Sequence, residues 1–215
     1  MRWFQLTLLG LALAQPARGE DIVDVLRRSQ QLRLDALPVA PEGPRAQAVR
    51  RSFEQVRAAL PADVPAELRV VSAGTIAETL HGRIVVAHES LADMPEGARL
   101  FVLAHELGHV AGLHWQQMGA VYRHWVPGEV TPQATNSVAQ QLGREASATA
   151  HRQEFEADAY AMRVMRSLGR PPQEALAAFM QQGLQQDTAT HPGTRKRVAS
   201  LRAAMAGGGS GHDAE

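Results

Sequence analysis

The chain has 215 residues, with 22 basic side chains balanced by 22 acidic ones, nine histidines and no cysteine. This length allows one domain of ordinary size with a hydrophobic core and short appendages. Balanced charge without a basic block argues against nucleic acid or an anionic membrane surface as a partner. Because there is no cysteine, no disulfide can hold the fold, and any metal ligands must be histidine, aspartate or glutamate side chains.

The first residues are organised like a secretory signal peptide. Arg2 precedes an apolar segment, Trp3 to Ala14, and small residues follow at Ala17 and Gly19. A charged start, a short apolar middle and a small-residue exit are typical of export signals, and the apolar part is short for a membrane span. We therefore expect residues 1–19 to be a signal peptide and the protein to be exported, to the periplasm if the source is a Gram-negative bacterium. The alternative is an uncleaved N-terminal membrane anchor.

Two amphipathic helices are predicted after the signal. Apolar residues recur at helical spacing from Asp21 to Leu37 and again from Arg45 to Leu60, and a stretch with three prolines and a glycine separates them. Residues 20–60 are therefore expected to form an N-terminal helical segment that packs on the remainder of the chain. This segment has no motif that suggests chemistry.

Two short strands are predicted next, at Leu68–Ser72 and Gly82–Ala87, because both are rich in β-branched and other apolar residues. Residues 73–81 between them are expected to be a connection or an irregular strand. The second strand comes just before a long apolar helix that starts near Asp93. We expect it to be an edge strand, which either pairs with an extended peptide or is an ordinary sheet edge.

The most informative segment is His105-Glu106-Leu107-Gly108-His109, an H-E-x-x-H motif within a run of apolar and small residues. On a helix, positions i and i+4 lie on one face, so the two histidines can bind a single metal ion. Glu106 can then take a proton from a metal-activated water and pass it to the leaving amine. The apolar run predicts a helix buried all round, in which three polar side chains need a partner. A metal ion satisfies all three; the alternative is a pair of hydrogen-bonded core histidines.

For two segments after the motif helix the sequence allows two predictions each. The most aromatic part of the chain either lines a substrate pocket or belongs to a second packed helix; it contains His114, Trp115, Tyr122, His124 and Trp125. The segment from Gln133 to Ala150 is rich in alanine, glutamine, serine and threonine. It is expected to be a helix or a mobile lid over the cleft.

A third metal ligand is predicted in the helical segment from His151 to Tyr160, where Glu154 and Asp158 lie one turn apart on the same side. A catalytic zinc site with two histidines needs a third protein ligand and an open position, and Glu154 can supply that ligand. Asp158 is expected to accept the outer N–H of a ligand histidine. The alternative for both residues is a solvated acidic helix face, an interpretation that suits Glu156 better.

Two more helices complete the prediction, one over Gln173–Gly183 and one that ends near Met205. The glycine-rich residues 207–215 are expected to be a flexible tail.

Three blocks in this order make the sequence resemble the gluzincin metallopeptidases of the CAAX prenyl protease and HtpX type, a family that includes soluble periplasmic members. The blocks are Val102–His114, Glu154–Asp158 and His191–Val198, and the resemblance extends over Ile84–Met205. It implies an α+β fold, a mostly helical zincin-like domain with a small β-sheet whose edge strand precedes the active-site helix. We assign this zinc metallopeptidase domain to residues 61–206.

The resemblance also implies roles for single residues. One Zn²⁺ per chain would be bound by His105, His109 and Glu154. Glu106 would be the general base, and Asp158 would support a ligand histidine. His191 and Arg197 occupy the positions of a histidine that faces the metal cleft and of a supporting arginine. His191 either hydrogen-bonds the oxyanion of the intermediate or caps the metal and holds the enzyme closed.

The sequence also departs from the family. Family members have an Asn-Ala-containing segment before the edge strand, of which Ala73–Ala77 is a remnant. The transmembrane helices of some members and the helical repeats of others are expected to be absent.

We therefore expect an exported zinc endopeptidase that acts on exported or envelope proteins. Its partner is a protein or peptide substrate, not nucleic acid, and it has no integral membrane span after signal removal. The alternatives are a latent or non-proteolytic zinc protein that acts as a chaperone or binding module, with His191 as a fourth ligand, an H-E-x-x-H protease of another lineage, or a helical exported protein with an accidental motif.

Overall fold

The computed structural model describes residues 19–60 and 64–207, so nearly all of the predicted signal peptide and of the predicted tail lie outside the described residues. Within these ranges the chain forms seven α-helices and three β-strands. The helices are α1 Ile22–Ala36, α2 Pro44–Ala58, α3 Glu96–Ala111, α4 His114–Trp125, α5 Pro132–Ser167, α6 Gln173–Gln182 and α7 Thr194–Gly207. The strands are β1 Glu67–Val71, β2 Ala77–Leu80 and β3 Ile84–His88. The expected fold class, a mostly helical α+β domain with a small sheet, is confirmed.

The two N-terminal helices, α1 and α2, pack against later parts of the chain. The Asp21 side chain accepts a hydrogen bond from the Val23 amide at 2.8 Å and so caps α1. The apolar face of α2 is buried in the same core as α3, through Val49, Phe53 and Val56. This burial places α2 against the motif helix.

The sheet has the order β1-β3-β2, with β3 parallel to β1 and antiparallel to β2. The strand that directly precedes α3 is therefore central, and the prediction that it forms the edge is wrong. Its consecutive residues Val85, Val86 and Ala87 are all buried, and such a run is typical of a strand covered on both faces. The edge strand beside α3 is β2, which lies in the segment expected to be a connection or an irregular strand.

The motif helix α3 is almost wholly buried, as its apolar run predicts. It crosses α5 at Gly108, where an added Cβ would lie 3.0 Å from the Ala157 Cα. Such a contact with backbone is tighter than nine in ten real Cβ contacts, so the glycine allows the two helices to approach closely. This crossing brings the H-E-x-x-H segment next to the acidic residues of α5.

Helix α5 has 36 residues and joins two segments that the sequence suggested separately. Thr131 caps it by accepting a hydrogen bond from the Ala134 amide at 3.2 Å, and Pro132 occupies its first turn. Its first part packs through Val138 and Leu142 in an apolar cluster that also contains residues of α1 and α4. Of the two interpretations of residues 133–150, the helix is therefore correct.

None of the described helices combines the length and the hydropathy that crossing a bilayer requires.

Candidate metal centre

The structure brings His105, His109 and Glu154 together where α3 crosses α5. Their potential ligand atoms all lie within 4.8 Å of one another. The two histidine Nε2 atoms are 3.1 Å apart. The Glu154 oxygens lie 3.3 Å from Nε2 of His109 and 3.6 Å from Nε2 of His105. Three donor atoms from two helices therefore converge on one point.

The chemistry of this donor set fits a divalent metal ion. Two imidazole nitrogens and one carboxylate are the protein ligands of catalytic zinc sites, which leave a further position open. The buried Oε2 of Glu154 has no hydrogen-bond partner, although Arg197 Nη1 lies 3.1 Å away. Arg197 compensates part of the negative charge of this buried carboxylate, and Oε2 keeps lone pairs that can bind a further cation. The cluster is therefore suited to hold an ion.

The ionisation of Glu154 agrees with this assignment. Burial by itself would raise the pKa of the carboxyl group, but a hydrogen bond from His109 and the charges of His105 and Arg197 outweigh it. The pKa of Glu154 is held well below its ordinary value. The side chain is thus a carboxylate at neutral pH, the form that binds metals.

Asp158 lies behind His105, one helical turn after Glu154. Its Oδ1 is 2.9 Å from His105 Nδ1, and it also accepts hydrogen bonds from Arg197 Nε at 2.8 Å and Nη2 at 2.5 Å. Since a carboxylate only accepts, the His105 proton belongs on Nδ1, which leaves Nε2 with a free lone pair. Arg197 in α7 thus holds the carboxylate that orients His105.

Glu106 is buried and directed towards the cleft, with a partner that sequence reasoning missed. Its Oε2 lies 2.8 Å from the hydroxyl of Thr79, which is also 3.0 Å from the Glu106 backbone carbonyl oxygen. The hydroxyl has one hydrogen, so it donates to one of these oxygens at a time. Thr79 belongs to β2. Predicting this edge strand from the sequence would have identified Thr79 as a candidate partner of Glu106.

His191 lies on the loop between α6 and α7, at the rim of the metal centre. Its Nε2 is 3.7 Å from Glu154 Oε1, and 61% of the side chain is exposed. The loop is held by hydrogen bonds from the His191 amide to Thr188 Oγ1 at 2.9 Å and from the Gly193 amide to Asp187 Oδ1 at 2.6 Å. The ring therefore faces the cluster without a hydrogen bond to it.

Sequence reasoning also missed a second pair beside the metal centre. The buried His114, placed in the aromatic segment, has Nδ1 2.9 Å from Nδ1 of His109. Its Nε2 is 3.3 Å from Oε2 of Glu156, the residue assigned to a solvated face. Burial, with smaller contributions from His109 and His105, lowers the pKa of His114 to about 4, so the ring is neutral at pH 7. The sequence signal that could have indicated this contact is a histidine five residues after His109.

The metal centre opens into a cleft of about 850 Å³. Edge strand β2 forms one wall, the loop that bears His191 forms another, and Phe101 and Phe179 contribute apolar surface. A cleft of this size can hold several residues of an extended peptide. Glu106 also lines this cleft.

A buried H-E-x-x-H helix, crossed by a helix that supplies a glutamate and flanked by a small sheet, defines a zincin-type metallopeptidase. Residues 66–205, well over half of the chain, match the sequence profile of peptidase family M48, and the chain belongs to this family. No curated protein matches the chain at a significant level. The protein is therefore a metalloprotease, a hydrolase whose substrates are proteins or peptides. This family membership does not favour a non-proteolytic zinc protein.

Proposed function

We propose that the protein is an exported zinc-dependent endopeptidase that hydrolyses peptide bonds of exported or envelope proteins. The observation that carries this proposal is the convergence of two histidines and a glutamate beside the Glu106 carboxylate, at the bottom of an open cleft. The signal-like N-terminal sequence supports export and hence this class of substrate.

In this proposal His105, His109 and Glu154 hold the zinc ion. When bound, the ion supplies Lewis-acid polarisation of the peptide carbonyl and activation of the attacking water. Asp158 keeps the proton of His105 on Nδ1, and Arg197 fixes Asp158 through its two hydrogen bonds. The chain thus presents its ligand nitrogens already oriented.

Glu106 is the general base and later the general acid. Its carboxylate accepts the proton of the attacking water and delivers it to the leaving amine. The hydroxyl of Thr79, at 2.8 Å, holds one carboxylate oxygen and leaves the other for this proton transfer. Because Thr79 lies on β2, the strand that lines the cleft also orients the base.

The substrate binds in extended form along β2. This strand pairs with β3 on one side only, and among the described residues no strand pairs with its other edge. An extended peptide can add to such an edge through backbone hydrogen bonds. His191 lines the same cleft, where it donates a hydrogen bond to the oxyanion or caps the site.

The test is Glu106→Gln, compared with Glu54→Gln, a substitution of an exposed glutamate on α2. General acid–base catalysis contributes about 10²- to 10⁴-fold, so we expect a loss of this size in casein cleavage by the first variant and none by the second. Elemental analysis should find the same zinc content in both. Full activity of Glu106→Gln would refute the mechanism, and the absence of zinc from the wild type would refute the zinc site.

His191→Ala distinguishes the two roles of His191 in the same assay. Slower cleavage identifies an oxyanion donor, and faster cleavage identifies a cap. Unchanged cleavage by this variant would exclude both.

A further inference from the structure

His109 has a buried neighbour that the proposed mechanism does not yet use. His114, the first residue of α4, is 4% exposed, and the two rings meet edge to face with their centroids 4.9 Å apart. Nε2 of His109 points to His105 and Glu154, so the Nδ1 atom that contacts His114 is its outer nitrogen. One nitrogen of this Nδ1–Nδ1 pair must donate and the other must accept.

Glu156 decides which nitrogen donates. The other nitrogen of His114, Nε2, lies 3.3 Å from a Glu156 carboxylate oxygen, which can only accept. The geometry therefore points to a His114 tautomer with its hydrogen on Nε2, facing this oxygen, and with Nδ1 as an acceptor towards His109. When His109 binds the ion through Nε2, as proposed, the ion takes the place of the hydrogen bond from Nε2 to Glu154. The hydrogen of His109 then lies on Nδ1, where His114 accepts it.

The backbone between α3 and α4 is built around this contact. A Cβ at Gly112 would lie 2.3 Å from Nε2 of His114, so only glycine leaves room for the ring. Leu113 adopts a left-handed conformation with φ 53°, although it is 55% exposed and has no packing reason to do so. This conformation costs a non-glycine residue about 1 kcal/mol. Strain of this kind persists where the surrounding structure demands it, often at functional sites.

A further hydrogen bond fixes the same segment from the side of α5. Gln153, buried next to Glu154 in sequence, donates from Nε2 to the backbone carbonyl of His114 at 3.1 Å. The first turn of α4 is thus attached to the helix that supplies the third ligand. The position of His114 depends on both helices that form the metal centre.

We infer that His114 is a positioning residue for the metal ligand His109, and that Glu156 orients His114 in turn. This inference rests on the proposed metal-binding role of His109. Each ligand histidine then has its own acceptor for the outer N–H: Asp158 for His105, and the His114–Glu156 pair for His109. Outer hydrogen-bond partners of this kind fix the tautomer and the ring orientation of a ligand and raise its basicity.

The experiment compares His114→Asn with His114→Leu. The two replacements have nearly the same shape and remove the same ring, but only asparagine keeps an oxygen close to the position of Nδ1 that can accept from His109. Loss of an outer partner costs about 10- to 100-fold in metal affinity, so we expect His114→Leu to bind zinc that much more weakly than the wild type in chelator competition. His114→Asn should retain most of the affinity.

A matched control and a spectroscopic signal separate positioning from general damage to the fold. His124→Leu, on the exposed face of the same helix, should bind zinc like the wild type. In ¹⁵N-labelled, zinc-loaded protein the Nδ1–H signal of His109 should be protected from solvent exchange in the wild type and in His114→Asn, and lost in His114→Leu.

Gly112→Ala provides a second route that leaves His114 in place. The added methyl group displaces the ring, so zinc affinity should fall in the wild-type background and remain unchanged in the His114→Asn background. If the wild type binds zinc but the leucine and asparagine variants share its affinity and its His109 signal, the inference is wrong. If the wild type binds no zinc, the proposed function fails first, and the inference fails with it.

Discussion

Substitution of Arg197 by methionine removes the cation that neutralises a buried carboxylate. Asp158 is 1% exposed and accepts two hydrogen bonds from the guanidinium group. Methionine retains the apolar stem of Arg197, whose guanidinium carbon lies 4.9 Å from the centre of the Phe179 ring. Removing one partner of a buried ion pair costs about 3 to 5 kcal/mol. Because His105 still contacts Asp158, we expect Arg197→Met to lower the free energy of unfolding by about 3 kcal/mol at pH 7.

The loss should depend on pH in a defined direction. Burial would raise the pKa of Asp158, but the hydrogen bonds from Arg197 and His105 outweigh it and hold the pKa below the ordinary value. A carboxyl group with a lowered pKa stabilises the fold above its unfolded pKa of about 4, and this contribution disappears as the pH falls through the folded pKa. Without Arg197 the carboxyl group is protonated more easily. The difference between variant and wild type should therefore be smaller at pH 4 than at pH 7.

Urea unfolding of chelator-treated protein, followed by circular dichroism at both pH values, measures this difference. Arg195→Met, an exposed arginine two residues earlier in α7, is the control and should stay within about 0.5 kcal/mol of the wild type. In a background that carries both Asp158→Asn and Glu154→Gln, Arg197→Met should cost less than about 1 kcal/mol, since neither buried carboxylate beside the guanidinium group is left unpaired. A loss below about 1 kcal/mol at pH 7, or the same loss in both backgrounds, would show that the Arg197–Asp158 pair does not stabilise the fold as reasoned.

Two further substitutions test the base and the strained turn. Thr79→Val removes the hydrogen-bond donor to Glu106, and the loss of a hydrogen bond of about 1 to 2 kcal/mol should lower kcat about 5- to 30-fold. Thr79→Ser keeps the hydroxyl and should have a kcat near that of the wild type. Equal rates for the two variants would contradict the role of the hydroxyl. Leu113→Gly relieves the strain of a left-handed backbone conformation at an exposed residue. It should raise the free energy of unfolding, measured by thermal denaturation, by about 0.5 to 1 kcal/mol and leave the zinc affinity unchanged. A loss of stability would count against the strain argument.

The cluster of three proposed ligands was accessible from the sequence because it depends on local spacing. His105 and His109 share a face through the i, i+4 rule, and Glu154 and Asp158 share another on a second helix. The two helices could then be predicted to lie together, since a zinc site with two histidines requires a third protein ligand. The structure adds the crossing of α3 and α5 that brings these faces together.

The partners of these residues were not accessible in the same way. Thr79 reaches Glu106 because β2, a strand of four residues, pairs with β3 at the sheet edge, and so short a strand has little periodic signal. The left-handed backbone conformation of Leu113 brings His114 back to His109. A leucine in the sequence does not predict this conformation. Both contacts depend on tertiary pairing or on one unusual dihedral angle, which hydrophobic periodicity does not record.

Because α3 and α5 cross closely at Gly108, the H-E-x-x-H segment contains a residue that matters for helix packing as well as residues that matter for chemistry. Gly108 occupies one of the two positions that the motif leaves unspecified, yet an added Cβ there would lie 3.0 Å from the Ala157 Cα and 3.2 Å from the Tyr160 Cβ. Even an added methyl group would force α5, the helix that carries Glu154, to give by a few tenths of an ångström. In this protein the absence of a side chain at Gly108 lets the helix of the third proposed ligand approach the helix of the other two.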